Sequence, residues 1–71
     1  MKTRIDRFKI KQAMKGRFDT MEELAGAASI STNTMSTATD SYSWRANTLD
    51  AIANALGVQP ATLLTTDIVE G

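Results

Sequence analysis

The chain has 71 residues, a formal net charge of zero and 42% hydrophobic residues. A chain this short can bury only one core, so we expect a single domain over residues 1–71. It contains no cysteine and no histidine, which excludes disulfides, thiol or imidazole catalysis and the usual zinc ligands. We therefore expect no catalytic residues, no metal, no cofactor and a role other than that of an enzyme.

Charge is distributed unevenly along the chain. Residues 1–17 carry seven basic side chains and one carboxylate, a net charge of +6, whereas residues 18–71 carry one arginine and seven carboxylates, a net charge of −6. A basic face attracts phosphate even when the whole chain is neutral. A solvated basic helix is equally consistent with this pattern.

The hydropathy pattern gives no indication of a membrane protein. No apolar stretch approaches the roughly 18 residues of a membrane span, and no basic-then-apolar leader is present. We expect a soluble protein of the cytoplasm.

The first predicted helix covers residues 6–16. Asp6 is its predicted N-cap, and Ile5 and Ile10 are spaced as the two partners of a hydrophobic staple. Gly16 is the predicted stop, because glycine readily leaves the helical conformation.

A second helix of about two turns is predicted from Thr20, which forms a capping-box pattern with Glu23 three residues later. Ser31 then predicts the cap of a short third helix, from Thr32 to residue 37 or 38. Met35 and Ala38 are its apolar pair and face inward. Its open side then presents short, neutral hydrogen-bonding side chains suited to base edges in a major groove, namely Thr32, Asn33, Ser36 and Thr37.

Residues 39–44 lack a helical period and predict a loop, followed by a fourth helix over residues 45–56. Gly57 is its predicted stop, and a short fifth helix is predicted from Pro60. For residues 65–71 a short strand, a dimer contact and a frayed end all remain open. The fourth and fifth helices would bury Leu49, Ile52, Ala53, Leu56, Leu63 and Leu64.

Two sequence motifs together resemble a known family. Leu24-Ala25, Ile30-Ser31 and Met35-Ser36 are spaced as in the helix-turn-helix of the Cro and phage-repressor family, and residues 49–64 resemble its fourth and fifth helices. The resemblance covers residues 6–64, leaving 65–71 as a tail. It implies an all-α, compact bundle of five short helices that binds a double-stranded DNA operator, with the third helix in the major groove.

The chain departs from this family at three places. Ser29 occupies the turn position usually held by glycine, so a non-glycine residue is expected in a left-handed conformation. Met21 stands where many relatives carry a phosphate-contacting glutamine. The third helix has no Arg, Lys or Gln, so specificity would come from Asn33, which can bind adenine in a bidentate way, and from threonine contacts.

The resemblance also implies phosphate contacts from the ends of helices that border the groove. Arg45 is the first candidate and Arg17 the second. Lys15, Ser31 and Tyr42 complete the candidate set. For Tyr42, packing against Trp44 is an equally good interpretation, and Trp44 itself is expected in the core or at a dimer interface.

One such domain covers about half an operator, so we expect a homodimer. We expect no ligand domain and therefore no small-molecule ligand. The leading hypothesis is a Cro-like repressor of bacterial or phage origin that is associated with the nucleoid. Trp44, Ile68 and Val69 are candidates for the dimer contact. The alternative is a protein-interaction module on the same fold, an antitoxin or an adaptor, whose binding would depend little on salt.

Overall fold

The computed structural model describes residues 1–68, which form four α-helices, a single 3-10 turn and two short strands. In chain order these are β1 (Lys2–Ile5), α1 (Arg7–Met14), α2 (Met21–Ala27), α3 (Thr32–Asp40), α4 (Ala46–Leu56), the 3-10 turn (Pro60–Leu63) and β2 (Leu64–Asp67). The prediction of helices is confirmed for α1 to α4. The expected all-α bundle of five helices is wrong, because the fifth helix is only a 3-10 turn and two strands are present.

Three predicted caps begin the first three helices. The side chains of Asp6, Thr20 and Ser31 each accept a hydrogen bond from a backbone N–H two or three residues further on, at 2.9 to 3.1 Å. Each bond satisfies an amide that has no partner within its helix. The Glu23 carboxylate reaches back to the N–H of Asp19 at 3.1 Å, one residue before the cap itself. Local sequence signals therefore determine where these helices start.

The core lies where the four helices and the sheet meet. Both predicted staple residues, Ile5 and Ile10, are fully buried, and the predicted stripe of α4 faces inward. None of the helices within residues 1–68 is both long and apolar enough to cross a membrane. The buried cluster consists of Ile5, Ile10, Met14, Leu24, Ala25, Met35, Ala38, Leu49, Ile52, Ala53, Leu56 and Leu63.

The third helix is longer than predicted, because α3 continues to Asp40 and the loop begins only at residue 41. Thr39 is buried, and its hydroxyl donates to the carbonyl oxygen of Met35 at 3.0 Å. From α1, Arg7 Nη2 donates to Thr39 Oγ1 at 2.9 Å and to Asp40 Oδ1 at 2.6 Å. These tertiary bonds hold the last turn of α3, so no local sequence pattern could indicate it.

Left-handed residues occur in the turn of the helix-turn-helix and at the end of α4. Ser29, between α2 and α3, has φ of 60°, which confirms the expectation for this position. A non-glycine residue held there costs roughly 1 to 2 kcal/mol. Gly57 ends α4 with φ of 69°, and the N–H of Val58 donates to the carbonyl oxygen of Ala53 at 3.0 Å, as in a Schellman stop.

The two strands pair antiparallel, with Lys2 opposite Asp67 and Ile5 opposite Leu64. The sequence did not predict β1, because a strand of four residues that pairs with the far end of the chain has too weak a period to detect. Leu64 is extended and pairs with β1, so the predicted fifth helix ends after one 3-10 turn. Of the three possibilities for the tail, a strand is observed as far as Asp67. Val69, a dimer candidate, lies outside the described residues.

Candidate nucleic-acid interface

The polar side of α3 is open to solvent. Thr32, Asn33, Ser36 and Thr37 are all exposed, whereas Met35 and Ala38 on the opposite side are only 2% and 4% exposed. The structure therefore places the four candidate base-contacting residues on one accessible surface. The buried pair, together with α2, holds that surface rigidly against the core.

A surface depression borders each side of this polar face. The first, of about 190 Å³, is lined by Asn33 and Thr37 from α3 and by Arg45 at the start of α4. The second, of about 440 Å³, is lined by Thr32 and Ser36, by Arg7 and Lys11 from α1 and by Glu22 from α2. The four candidates thus divide into two pairs with helical spacing of four, and each pair faces at least one cation.

Arg45 is the N-cap of α4, and its exposed side chain makes no capping hydrogen bond. Within residues 1–68 it makes no salt bridge, which leaves its guanidinium available to an external anion. Its neighbour Trp44 is half-buried against the core and donates from Nε1 to the carbonyl oxygen of Thr3 at 3.0 Å. The indole therefore anchors the segment that carries Arg45 to the sheet.

Arg17 lies far from this segment. Its Nη1 is 3.2 Å from the position that a Cβ atom on Gly57 would occupy, so the guanidinium covers the C-terminal end of α4. The 11 residues of α4 separate this end from Arg45 by about 16 Å. A cation beside the exposed carbonyl groups of a helix end is stabilising there, so this position offers an alternative to a phosphate contact for Arg17.

The hydroxyl group of Ser31, a predicted phosphate ligand, forms two hydrogen bonds with Thr34. Ser31 Oγ accepts from the N–H of Thr34 at 3.0 Å and donates its only proton to Thr34 Oγ1 at 2.8 Å. The hydroxyl proton of Thr34 is then available to a ligand, and Thr34 lines the same depression as Arg45. Thr34 was not among the predicted site residues; its position three residues after the cap was the available signal.

Tyr42 takes part in a cluster on the sheet. Its hydroxyl donates to Asp67 Oδ2 at 2.9 Å, and Arg4 Nε donates to the same oxygen at 2.6 Å. Lys2 Nζ lies 5.5 Å from the centre of the tyrosine ring, within range of a cation–π contact. The hydrogen bonds from Arg4 and then Tyr42 lower the pKa of Asp67. This cluster ties the loop after α3 to both strands.

We expect this cluster to make stability sensitive to acid. The pKa of Asp67 lies below its ordinary value of 3.8 in the folded protein, so its contribution is present above that value and is lost as the pH falls through the folded pKa. Asp67→Asn should lower the melting temperature at pH 7 and flatten its decline between about pH 5 and pH 2. Thermal melts followed by circular dichroism measure both. Asp50→Asn, an exposed carboxylate on α4, is the control; equal acid sensitivity of Asp67→Asn and wild type would contradict the expectation.

The uneven charge along the sequence is partly neutralised in the fold. Arg4 and Arg7 form ion pairs of 2.6 Å with carboxylates from the acidic part of the chain, and Lys9 Nζ donates to the carbonyl oxygen of Leu64 at 2.6 Å. Lys11 and Lys15 remain exposed and together line a third depression. Lys11 was missed as a site residue, although it follows Arg7 by four residues and so shares its helix face.

A short helix with an open polar face, packed across a preceding helix through a tight turn and bordered by cations, defines a helix-turn-helix protein of the DNA-binding class. The chain belongs to the family of Cro/C1-type helix-turn-helix DNA-binding domains, whose model matches residues 9–67. A comparison with curated proteins and one with solved structures found no match. The family and the fold together identify a DNA-binding regulator.

Proposed function

We propose that the protein is a Cro-like transcriptional repressor that binds a palindromic operator as a homodimer, with α3 in the major groove. One observation carries this proposal: four hydrogen-bonding side chains of α3 share an exposed face that has Arg45 on one side and Lys11 on the other. Such a face can probe base edges while the cations neutralise the phosphates on either side.

Base recognition would rest on neutral groups, because Asp40 at the end of α3 is the helix's only charged residue. Asn33 has an amide that can both accept from and donate to adenine, the pairing that its geometry favours. Thr32 and Thr37 add methyl and hydroxyl groups suited to thymine methyls or to either kind of hydrogen-bonding group. Each good bidentate pair is worth about 1 to 3 kcal/mol of discrimination.

Phosphate binding would come from both borders of the face. We assign Arg45 and Thr34 to one border and Lys11 to the other, with Lys15, the C-cap residue of α1, as a peripheral contact. Three earlier candidates are left out of the proposed interface. Arg17 covers the far end of α4, and the hydroxyl protons of Ser31 and Tyr42 are already donated within the protein.

Dimerisation is part of the proposal because a single reading helix spans only half of an operator. Two copies related by a twofold axis would place their α3 helices about 34 Å apart, one turn of DNA. Ile68 is 83% exposed at the end of β2 and is the better of the described dimer candidates, since Trp44 is half-buried within its own chain. We place the protein in the cytoplasm, bound to the nucleoid.

The test is selection of bound duplexes from a random DNA pool. Wild type should recover a palindrome with half-site centres about 10 base pairs apart. Asn33→Ala should relax one position in each half-site and leave the rest of the site unchanged. Asn54→Ala, which removes an exposed asparagine from α4, is the matched control and should not alter the sequence. Recovery of no preferred sequence at low salt would refute the proposal.

The absence of any cation on α3 supports a second candidate. Under it, the same surface binds a partner protein, as in an antitoxin or an adaptor. Association with such a partner would change little between low and moderate salt, whereas DNA affinity falls steeply. Failure to select any DNA sequence, together with a partner protein whose binding is insensitive to salt, would establish this alternative.

A further inference from the structure

The last turn of α3 contains a chain of hydrogen bonds that involves a proposed base-contacting residue. Ser36 Oγ donates to Asp40 Oδ2 at 3.2 Å, and Asp40 Oδ1 accepts from Arg7 Nη2 at 2.6 Å. The same Nη2 donates to the buried hydroxyl of Thr39. Both carboxylate oxygens of Asp40 are therefore engaged, one by α1 and one by the side chain one turn earlier.

This arrangement determines whether the Ser36 hydroxyl can donate a hydrogen bond to an external partner or only accept one. A serine hydroxyl has one proton and two lone pairs. A carboxylate is the strongest acceptor available to that proton, and the ion pair with Arg7 keeps the carboxylate in place. With its proton given to Asp40, Ser36 presents only lone pairs to a partner outside the protein.

We propose that Asp40, positioned by Arg7, makes Ser36 an obligate acceptor and so selects a base that carries an exocyclic amine. In the major groove the donors are N6 of adenine and N4 of cytosine, whereas guanine and thymine present O6, N7 or O4 acceptors. Ser36 therefore favours adenine or cytosine on the strand that it contacts. Asp40 and Arg7 act as positioning residues. This inference rests on the proposed DNA-reading function of α3.

The carboxylate strengthens the same preference. Asp40 is exposed at the end of the reading helix, and one of its oxygens lies beside Ser36. A negative group repels the carbonyl oxygens of guanine and thymine and attracts an amine. Removing Asp40 therefore does two things at once: it frees the Ser36 proton for donation, and it removes the repulsion of base acceptors.

The experiment measures binding of wild type, Ser36→Ala, Asp40→Ala and the double variant to four duplexes that differ at one base pair of the selected site. That position is the one where Ser36→Ala weakens the base preference of wild type. Wild type should bind the two duplexes with adenine or cytosine on the contacted strand about fivefold more tightly than the two with guanine or thymine there. In Asp40→Ala the ratio should fall to within about twofold, with tighter absolute binding of the guanine and thymine duplexes. The double variant should show no larger ratio than either single variant.

Two controls separate this effect from damage or bulk charge. Asp50→Ala removes the same charge from α4 and should change all four affinities alike. Asp40→Asn keeps the size of the side chain, and circular dichroism of each variant establishes that it is folded. A wild-type preference for guanine or thymine at this position, or an Asp40→Ala variant that keeps the wild-type ratio, would overturn the inference and leave the proposed function standing. A wild type that selects no DNA sequence would refute both.

Discussion

Replacing Leu24 by alanine should lower the free energy of unfolding by about 2 to 5 kcal/mol, the range for large-to-small substitutions in a core. Leu24 is fully buried in α2, the helix that packs against both α3 and α4. At about 0.05 to 0.15 kcal/mol per residue, a chain of this size has a total stability of about 4 to 11 kcal/mol. The loss is therefore a large fraction of the total, and urea unfolding followed by circular dichroism should find a much lower transition midpoint for the variant than for wild type.

Ile68→Ala is the matched control for this experiment, because it removes a similar apolar group from an 83% exposed position. Its effect on monomer stability should lie within about 0.5 kcal/mol of zero. A loss of less than about 1 kcal/mol in Leu24→Ala would contradict the packing described for α2. Loss of Leu24 should also weaken DNA binding, since α3 would be held less firmly against the core.

The second large effect is the loss of DNA affinity that we expect for Arg45→Ala. Its guanidinium borders the depression that Asn33 and Thr37 line, and it makes no salt bridge within residues 1–68. If it binds a phosphate, the variant should weaken binding to all sequences alike. The slope of the logarithm of the affinity against the logarithm of salt concentration should become shallower by about one for each arginine removed. Fluorescence anisotropy at several salt concentrations measures both quantities.

Arg17→Ala provides the comparison, because it removes the same charge from the other end of α4. Its salt slope should match that of wild type, although its melting temperature should fall slightly as the cation at the helix end is lost. An unchanged slope in Arg45→Ala would contradict the assignment of a phosphate contact to Arg45, and an equal reduction in both variants would contradict the exclusion of Arg17 from the interface.

The fold was predictable from sequence wherever its signals are local. The caps at Asp6, Thr20 and Ser31 and the left-handed residues Ser29 and Gly57 depend on neighbouring residues only. What the sequence did not indicate depends on contacts between distant segments. The sheet joins the two ends of the described chain, and the last turn of α3 depends on bonds from α1.

The candidate base-contacting face was likewise predictable, because helical spacing alone separates Asn33 and Ser36 from Met35. The proposed phosphate contacts depend on tertiary structure as well. Arg17 lies against Gly57, and Tyr42 donates to Asp67. Both partners are distant in sequence, so the preference for Arg45 over these two residues in the proposal rests on the fold.

The most direct test of α3 as the reading helix is an NMR titration of isotope-labelled protein with the selected duplex. The backbone amide signals of residues 32–37 and of Arg45 should shift most, because they lie on the proposed interface. Signals of Gly57 and Val58, at the C-terminal end of α4, should shift little. Large shifts centred on the sheet or on these two residues, with residues 32–37 unchanged, would contradict the assignment of α3 as the helix that contacts DNA.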